Sequence, residues 1–234
     1  MNARRMALAV GALATLLAGA TTPLYAVYDL TADWSDAANP NGVWSLKKNH
    51  ADLFTTNLPD YFQNGSNQAA WADDPSPQLR HVPVWMKTNA EGLIHAHGAE
   101  LDRTGSDYTG AVWTSPLAGE IQIDGEAWTT WLSGRAMRWQ LRVNGALVSE
   151  GDLIANGSND AGNPFDFADG SGGPGVLTQI VGVGDQVELG LLSVSQGGNL
   201  GDTIGLRFAI VPEPATLVFL AAGALSLTVR RKRA

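Results

Sequence analysis

The stretch Met137-Arg138-Trp139-Gln140-Leu141-Arg142-Val143-Asn144-Gly145-Ala146-Leu147-Val148-Ser149 alternates apolar and polar side chains with a period of two up to Asn144-Gly145. That period describes a strand with one buried and one wet face, and puts Met137, Trp139, Leu141 and Val143 on the buried side. Asn-Gly directly after such a run is the strongest short hairpin signal, because both residues tolerate positive φ, so Ala146–Ser149 is the return strand. The same period recurs in Ile204, Leu206, Phe208 and Ile210 near the other end of the body. Further strands are expected over 43–46, 81–87, 111–114, 120–131 (with Gly125 as a candidate bulge), 176–181 and 186–194. Pro83 falls inside its run, which argues for an edge strand there.

No part of this body carries a 3.6-residue apolar stripe. Many short strands separated by Gly, Asn and Pro turns predict an all-β, antiparallel two-sheet sandwich over residues 27–210. The long Gly-, Asn- and Asp-rich segment 156–175 is expected to be a functional or loosely held loop. Trp139 is core by alternation, and Trp44 and Trp113 sit in apolar strand contexts.

Composition narrows the function classes. The chain has 234 residues and no Cys, which excludes disulfide scaffolds, thiolate metal sites and Cys nucleophiles. The formal net charge is −8. Between residues 27 and 211 lie nine Lys and Arg against 22 Asp and Glu, so the body is more acidic than the whole chain. It lacks the basic stripe that a phosphate backbone requires, and no nucleic-acid partner is expected.

The missing cations sit at the two ends. Arg4 and Arg5 precede an uncharged apolar run, 7–20, and small residues then offer cleavage after Ala20 or after Ala26. Basic start, short apolar centre and small-residue cut make residues 1–26 a secretory signal peptide, a substrate for signal peptidase. At the other end, Val211-Pro212-Glu213-Pro214-Ala215 leads into the apolar segment 216–229 and then Arg230, Arg231, Lys232 and Arg233. The apolar segment, read as a short hydrophobic helix, is below the roughly 20 residues of a comfortable span, and the four cations act as a membrane stop.

Pro212-Glu213-Pro214, a short apolar segment and a terminal Arg-rich cluster, in that order over 211–234, resemble the PEP-CTERM sorting signal of Gram-negative bacteria. The resemblance implies processing by an exosortase at or near Pro-Glu-Pro, transient membrane association of the precursor through the C-terminal segment, and delivery to the cell surface or extracellular matrix among exopolysaccharide. Softer similarities lie in Asn39-Pro40-Asn41-Gly42-Val43-Trp44-Ser45, Trp113-Thr114-Ser115-Pro116-Leu117-Ala118-Gly119 and Gly184-Asp185-Gln186-Val187. These resemble a domain recurring in PEP-CTERM proteins and similar to jelly-roll carbohydrate-binding sandwiches; that likeness supports a fold more than a function.

Candidate chemistry in the body is sparse. His95-Ala96-His97, if extended, puts two imidazoles on one strand face about 7 Å apart, with Glu100 nearby as a third metal ligand. Asp124 with Glu126, and Glu150 with Asp152, would share strand faces, but solvated acids or partners of Arg138 and Arg142 look the same in sequence. Asp160, Asp166 and Asp169, or Asp202 approaching Asp29 or Asp33, offer hard oxygens for a structural calcium, the one candidate cofactor. Ser66, in Asn64-Gly65-Ser66-Asn67, reads as turn chemistry, and no serine has the surroundings of a nucleophile. Trp128 and Trp131 lie three apart and cannot both face inward on a regular strand, so one is an exposed candidate for stacking on a sugar ring. Trp71 and Tyr61, in loop-like surroundings, are weaker candidates. The expectation is a non-catalytic exported protein that binds polysaccharide. The alternative is an enzyme on the same scaffold, either metal-dependent or acting on polysaccharide.

Overall fold

The computed structural model describes residues 27–63, 66–72, 83–98, 108–130, 135–154, 158–194 and 203–213. The segments expected to be a signal peptide (1–26) and a hydrophobic helix with its cationic stop (216–233), and the candidates Trp131, Glu100 and Asp202, lie outside them. Val27–Pro212 is one compact unit, and it is all β: two antiparallel sheets face each other, with no α-helix among the described residues.

The first sheet contains β1 (Tyr28–Asp29), β4 (Thr56–Gln63), β5 (Ser66–Ala72), β6 (Val84–Lys87), β7 (Ile94–His97), β9 (Gly119–Thr129), β12 (Phe165–Asp166), β13 (Thr178–Val181) and β15 (Thr203–Pro212). Its order is β12-β9-β15-β7-β6-β5-β4, with β1 also on β15 and β13 also on β9. The second sheet has the order β11-β10-β14-β8-β2-β3, built from β2 (Trp44–Lys48), β3 (Asp52–Leu53), β8 (Tyr108–Thr114), β10 (Ala136–Val143), β11 (Ala146–Ile154) and β14 (Gln186–Ser193). The last strand of the body is thus interior to its sheet. β15 pairs with β9 from Ile204↔Thr129 to Pro212↔Ile121, and on its other edge with β7 and then β1.

The core lies between the sheets and is filled by the alternation visible in the sequence. Met137, Trp139 and Leu141 from β10 meet Val187, Leu189 and Leu191 from β14, Ile121, Ile123 and Ala127 from β9, and Ile204, Leu206, Phe208 and Ile210 from β15. Asn144 (φ 49°) and Gly145 (φ 80°) make the expected hairpin turn between β10 and β11. A second apolar cluster, Leu58, Tyr61, Ala70, Ala72, Val84 and Met86, occupies the opposite face of β4, β5 and β6.

Four expectations are corrected. Pro83 precedes β6, and β6 is interior, paired with β5 on one side and β7 on the other. Gly125 is no bulge: β9 and β15 stay in register past it, and glycine is required because the Phe167 ring and the Arg207 carbonyl fill the space a Cβ would take. Segment 156–175, as far as it is described, is packed down, since Phe165 and Phe167 both lie against Trp139 and Phe167 is fully buried. Finally, Tyr61, Trp71 and Ser66 belong to strands, with Tyr61 and Trp71 buried.

Candidate polar cleft on the six-stranded sheet

The wet face of β10 carries Arg138, Gln140 and Arg142, each opposite a polar residue on one neighbouring strand, with Leu192 across from Arg138 on β14 and Leu147 across from Arg142 on β11. Arg138 faces Asp152 on β11, Gln140 lies between Glu150 and Gly190, and Arg142 faces Glu188 on β14. The side chains of β10 and β11 form one hydrogen-bonded ladder along this strand pair. Arg138 donates through Nε and Nη2 to both oxygens of Asp152, at 2.6 and 3.0 Å, with Glu150 3.5 Å from its Nη1. Gln140 donates to Glu150 at 2.8 Å, and Arg142 donates to the Gln140 oxygen and to the Gly145 carbonyl, both at 3.0 Å. The carboxylates Glu150 and Asp152 are therefore engaged by arginine and amide groups. The Arg138 guanidinium holds the Asp152 carboxyl below its ordinary range, chiefly through that hydrogen bond.

The ladder ends at a cleft of about 300 Å³ whose described lining is His50, Arg142, Gly145, Gln186 and Glu188. Each wall has a local cause. Asn144 and Gln186 clamp the hairpin tip to β14: the Asn144 amide donates to the Gln186 carbonyl and its Oδ1 accepts from the Gln186 amide, both at 2.9 Å. His50 sits in the turn between β2 and β3 with φ 64°, after Asn49 at φ 49°. Non-glycine residues hold this left-handed region only at a cost, and such strain gathers at functional positions. The turn lays the imidazole on Tyr108, centroids 3.5 Å apart, and the Tyr108 ring in turn occupies the space above Gly190.

Glu188 forms the floor. Its side chain is 9% exposed, Oε1 is buried, and His50 Nδ1 lies 3.5 Å from it. Burial first, then the charge of the facing Glu188 carboxylate and the hydrogen bond to it, push the Tyr108 phenol far above its ordinary value, so the ring stays neutral. The Arg142 Nε is buried without a partner, while its two Nη atoms serve neutral oxygens. A buried carboxylate and a buried guanidinium nitrogen thus lie on adjacent strands at one cleft.

The sequence candidates fall elsewhere. His95 and His97 do share a face, the one opposite the inter-sheet core, in register with Met86 and Val84 on β6. Both are buried. His95 Nε2 is 3.1 Å from Glu91 Oε2, while His97 Nδ1 is 2.7 Å from the Gly98 carbonyl. Burial lowers the His95 pKa, opposed by Glu91. Among the described residues no three His, Asp or Glu side chains form a metal-ligand group.

Asp29 accepts from the Thr31 and Ala32 amides and Asp33 from the Trp44 indole at 3.0 Å, so both serve the loop that follows β1. Asp160 caps its own turn, and Asp166 caps the short 3-10 turn 167–169. Asp124 is exposed and Glu126 is bound to Arg207. Trp128, the described member of the stacking pair, is 3% exposed: its indole lies flat over Gly205, with the Arg207 guanidinium 5.6 Å from the ring centre. The expected open stacking surface is therefore not at Trp128. Sequence reading missed the His50, Arg142 and Glu188 cleft. The visible signals were Glu188 and Gly190 on the wet side of an alternating strand, and an Asn-His turn after another.

Pro212, in the first part of the expected sorting motif, is the last residue of β15, and Glu213 follows it. Residues 211–233 match the PEP-CTERM protein-sorting motif. No curated protein matches the chain. Among solved structures, a family 35 carbohydrate binding module from Clostridium thermocellum is similar at 11% identity and TM-score 0.30, over 62% of this chain and 88% of that one. The CBM36-1 domain of a multidomain xylanase from the hindgut metagenome of Trinervitermes trinervoides follows at 9% and 0.30, over 73% and 97%. A non-crystalline cellulose specific module, CBM28, gives 12% and 0.31, over 71% and 83%. Scores this low leave the architecture of this PEP-CTERM-tailed sandwich to its own strand pairing. Among the described residues no helix is long and apolar enough to cross a membrane.

Proposed function

We propose that the chain is an exported, non-catalytic β-sandwich, sorted through its PEP-CTERM tail to the cell exterior, where it holds polysaccharide. Export rests on the match over 211–233. Binding rests on one observation: a ladder of planar polar side chains runs along β10 and β11 on the open face of the six-stranded sheet and ends in a cleft lined by His50, Arg142, Gln186 and Glu188. Planar amide, carboxylate and guanidinium groups held in place by one another are suited to bind hydroxyl-rich polymers without paying fresh side-chain entropy. The carboxylates of Glu150 and Asp152 are tied to arginine and glutamine partners, an arrangement that binds rather than cleaves.

The test is affinity electrophoresis of the full chain through gels containing exopolysaccharide from the producing cells, with an assay of reducing ends released. Retardation without new reducing ends is the expected result. Free migration, or release of reducing ends, would overturn the reading.

A further inference from the structure

We infer that the end of the sandwich at which the chain enters at Val27 and leaves at Pro212 is a lipid-facing pole. Its exposed apolar side chains rest on a zwitterionic membrane surface while the C-terminal segment is inserted. This rests on the export reading above, with segment 216–229 entering the bilayer before processing, and adds the part of the body that meets the lipid.

Strand register places the pole. Tyr28, at the start of β1, pairs with Ile210, and Pro212, at the end of β15, pairs with Ile121. Gly119, at the start of β9, pairs with Val181 at the end of β13, and the turn that follows bonds to the Ser115 backbone through Gly184 and Asp185. The β10–β11 hairpin tip joins the same end, since Asn144 bonds to Gln186. Of the six large apolar side chains exposed among the described residues, four lie at this end: Val27, Leu147, Ile180 and Val183. The other two, Ile154 and Val194, lie at the opposite end beside Ala136. Apolar residues scattered singly need no explanation, whereas a gathering at one pole marks a contact surface.

The positions themselves are ones that polar residues usually take. Ile180, 81% exposed, is on β13, which pairs with β9 alone among the described residues, and such edges are ordinarily blunted by charge. Val183, 73% exposed, sits in a turn between Gly182 and Gly184. The onward chain names the occupant. Segment 216–229 begins three residues past Glu213, a reach of about 11 Å when fully extended, so lipid that takes in the segment comes up against this pole. The surface is apolar rather than cationic: Glu120 and Glu213 are exposed beside it, and Arg142 near the hairpin tip is held by the Gln140 and Gly145 oxygens. It therefore suits zwitterionic lipid better than anionic lipid.

The chain has no Cys, so a single introduced Cys carries the only label. Full chain bearing Ile180→Cys, Val183→Cys, Leu147→Cys or, as the far-end control, Ile154→Cys is labelled with a fluorophore and added to vesicles of phosphatidylcholine and phosphatidylethanolamine. Flotation shows whether the chain enters the membrane. In the floated fraction, nitroxide carried at the headgroup–acyl boundary should quench labels at 180 and 183 about twofold or more over the label at 154, the mark of an interfacial contact. Added phosphatidylglycerol should weaken that quenching. Ile180→Asp with Val183→Asp should remove most of the quenching at 147 and leave flotation intact. Equal quenching at both ends overturns the inference. So does quenching at 147 that survives the two Asp substitutions, since the tether alone would then set the approach. Quenching that grows with phosphatidylglycerol overturns the zwitterionic surface. Self-quenching relieved by unlabelled chain, with no quenching from lipid, assigns the patch to a second copy instead. A chain that does not float overturns the membrane-tail reading, and this inference with it, while polysaccharide binding is still decided by its own gel.

Discussion

An alanine at Gly205 would drive its Cβ into the indole of Trp128, and one at Gly190 would meet the Tyr108 ring. Neither ring has room to retreat, since Trp128 is 3% and Tyr108 1% exposed. Gly205→Ala is therefore expected to cost about 1–3 kcal/mol, the usual penalty of overpacking, read as a lower urea midpoint at unchanged slope. A second expectation concerns His95. Burial depresses its pKa below 6.5, so the folded state binds fewer protons than the unfolded one once the pH falls beneath that value. Stability is then lost as the pH is lowered from about 6.5 toward the depressed folded value, the reverse of a histidine with a raised pKa. Urea unfolding at pH 7.5 and 5.5 should show a larger loss for wild type than for His95→Gln, and equal losses would contradict it. Alternation alone marked Trp139 as core. The glycines under Tyr108 and Trp128 were invisible because they need the partner strand's register.

The hairpin of β10 and β11 shows how much an element can be read from its own residues. Asn144 is left-handed and also clamps Gln186, so Asn144→Ala should lose about 1–2 kcal/mol in chemical denaturation, the typical price of a left-handed non-glycine position. Asn144→Gly keeps the backbone freedom and should lose less. Across the same hairpin, Arg138 depresses the Asp152 pKa, so that pair stabilises the fold above about pH 3.8 and its contribution disappears as the pH falls through the lower folded value. Because both side chains are more than a third exposed or nearly so, the effect stays under about 1 kcal/mol. Asp152→Asn should flatten the acid limb of stability by that small amount. Strands β4, β5 and β7 escaped the sequence reading for a different reason. Both faces of β5 and β7 are largely buried, with Trp71 in the inter-sheet core and Ala70 and Ala72 in the second cluster, while in β4 a register shift sets the buried Leu58 and Tyr61 three apart, so no apolar–polar alternation remains to be seen. The cleft escaped as well, because its lining comes from the β2–β3 turn, β10, the hairpin tip and β14, and only the sheet order brings them together.

At the scale of the whole molecule, the position of β15 joins the fold to the tail. The strand is bonded along both edges, and Ile210 and Pro212 are buried, while Glu213 is exposed. The sorting motif therefore begins inside the sheet: Val211 pairs with Gln122 and Pro212 with Ile121. Antiparallel pairing of strands so distant in sequence closes only after the last strand has been made, so the sandwich cannot finish folding before the motif has emerged. A chain spanning 27–213 should unfold cooperatively on heating, whereas 27–202, which lacks β15, should show no cooperative transition in circular dichroism. The same geometry limits where processing can fall. A cut upstream of Pro212 would strip paired, buried residues from the core, while a cut beyond it removes nothing from β15. Mass spectrometry of the exported protein is accordingly expected to find a C-terminus at or after Pro212. A mature form ending before Ile210 would mean that the sheet opens for processing.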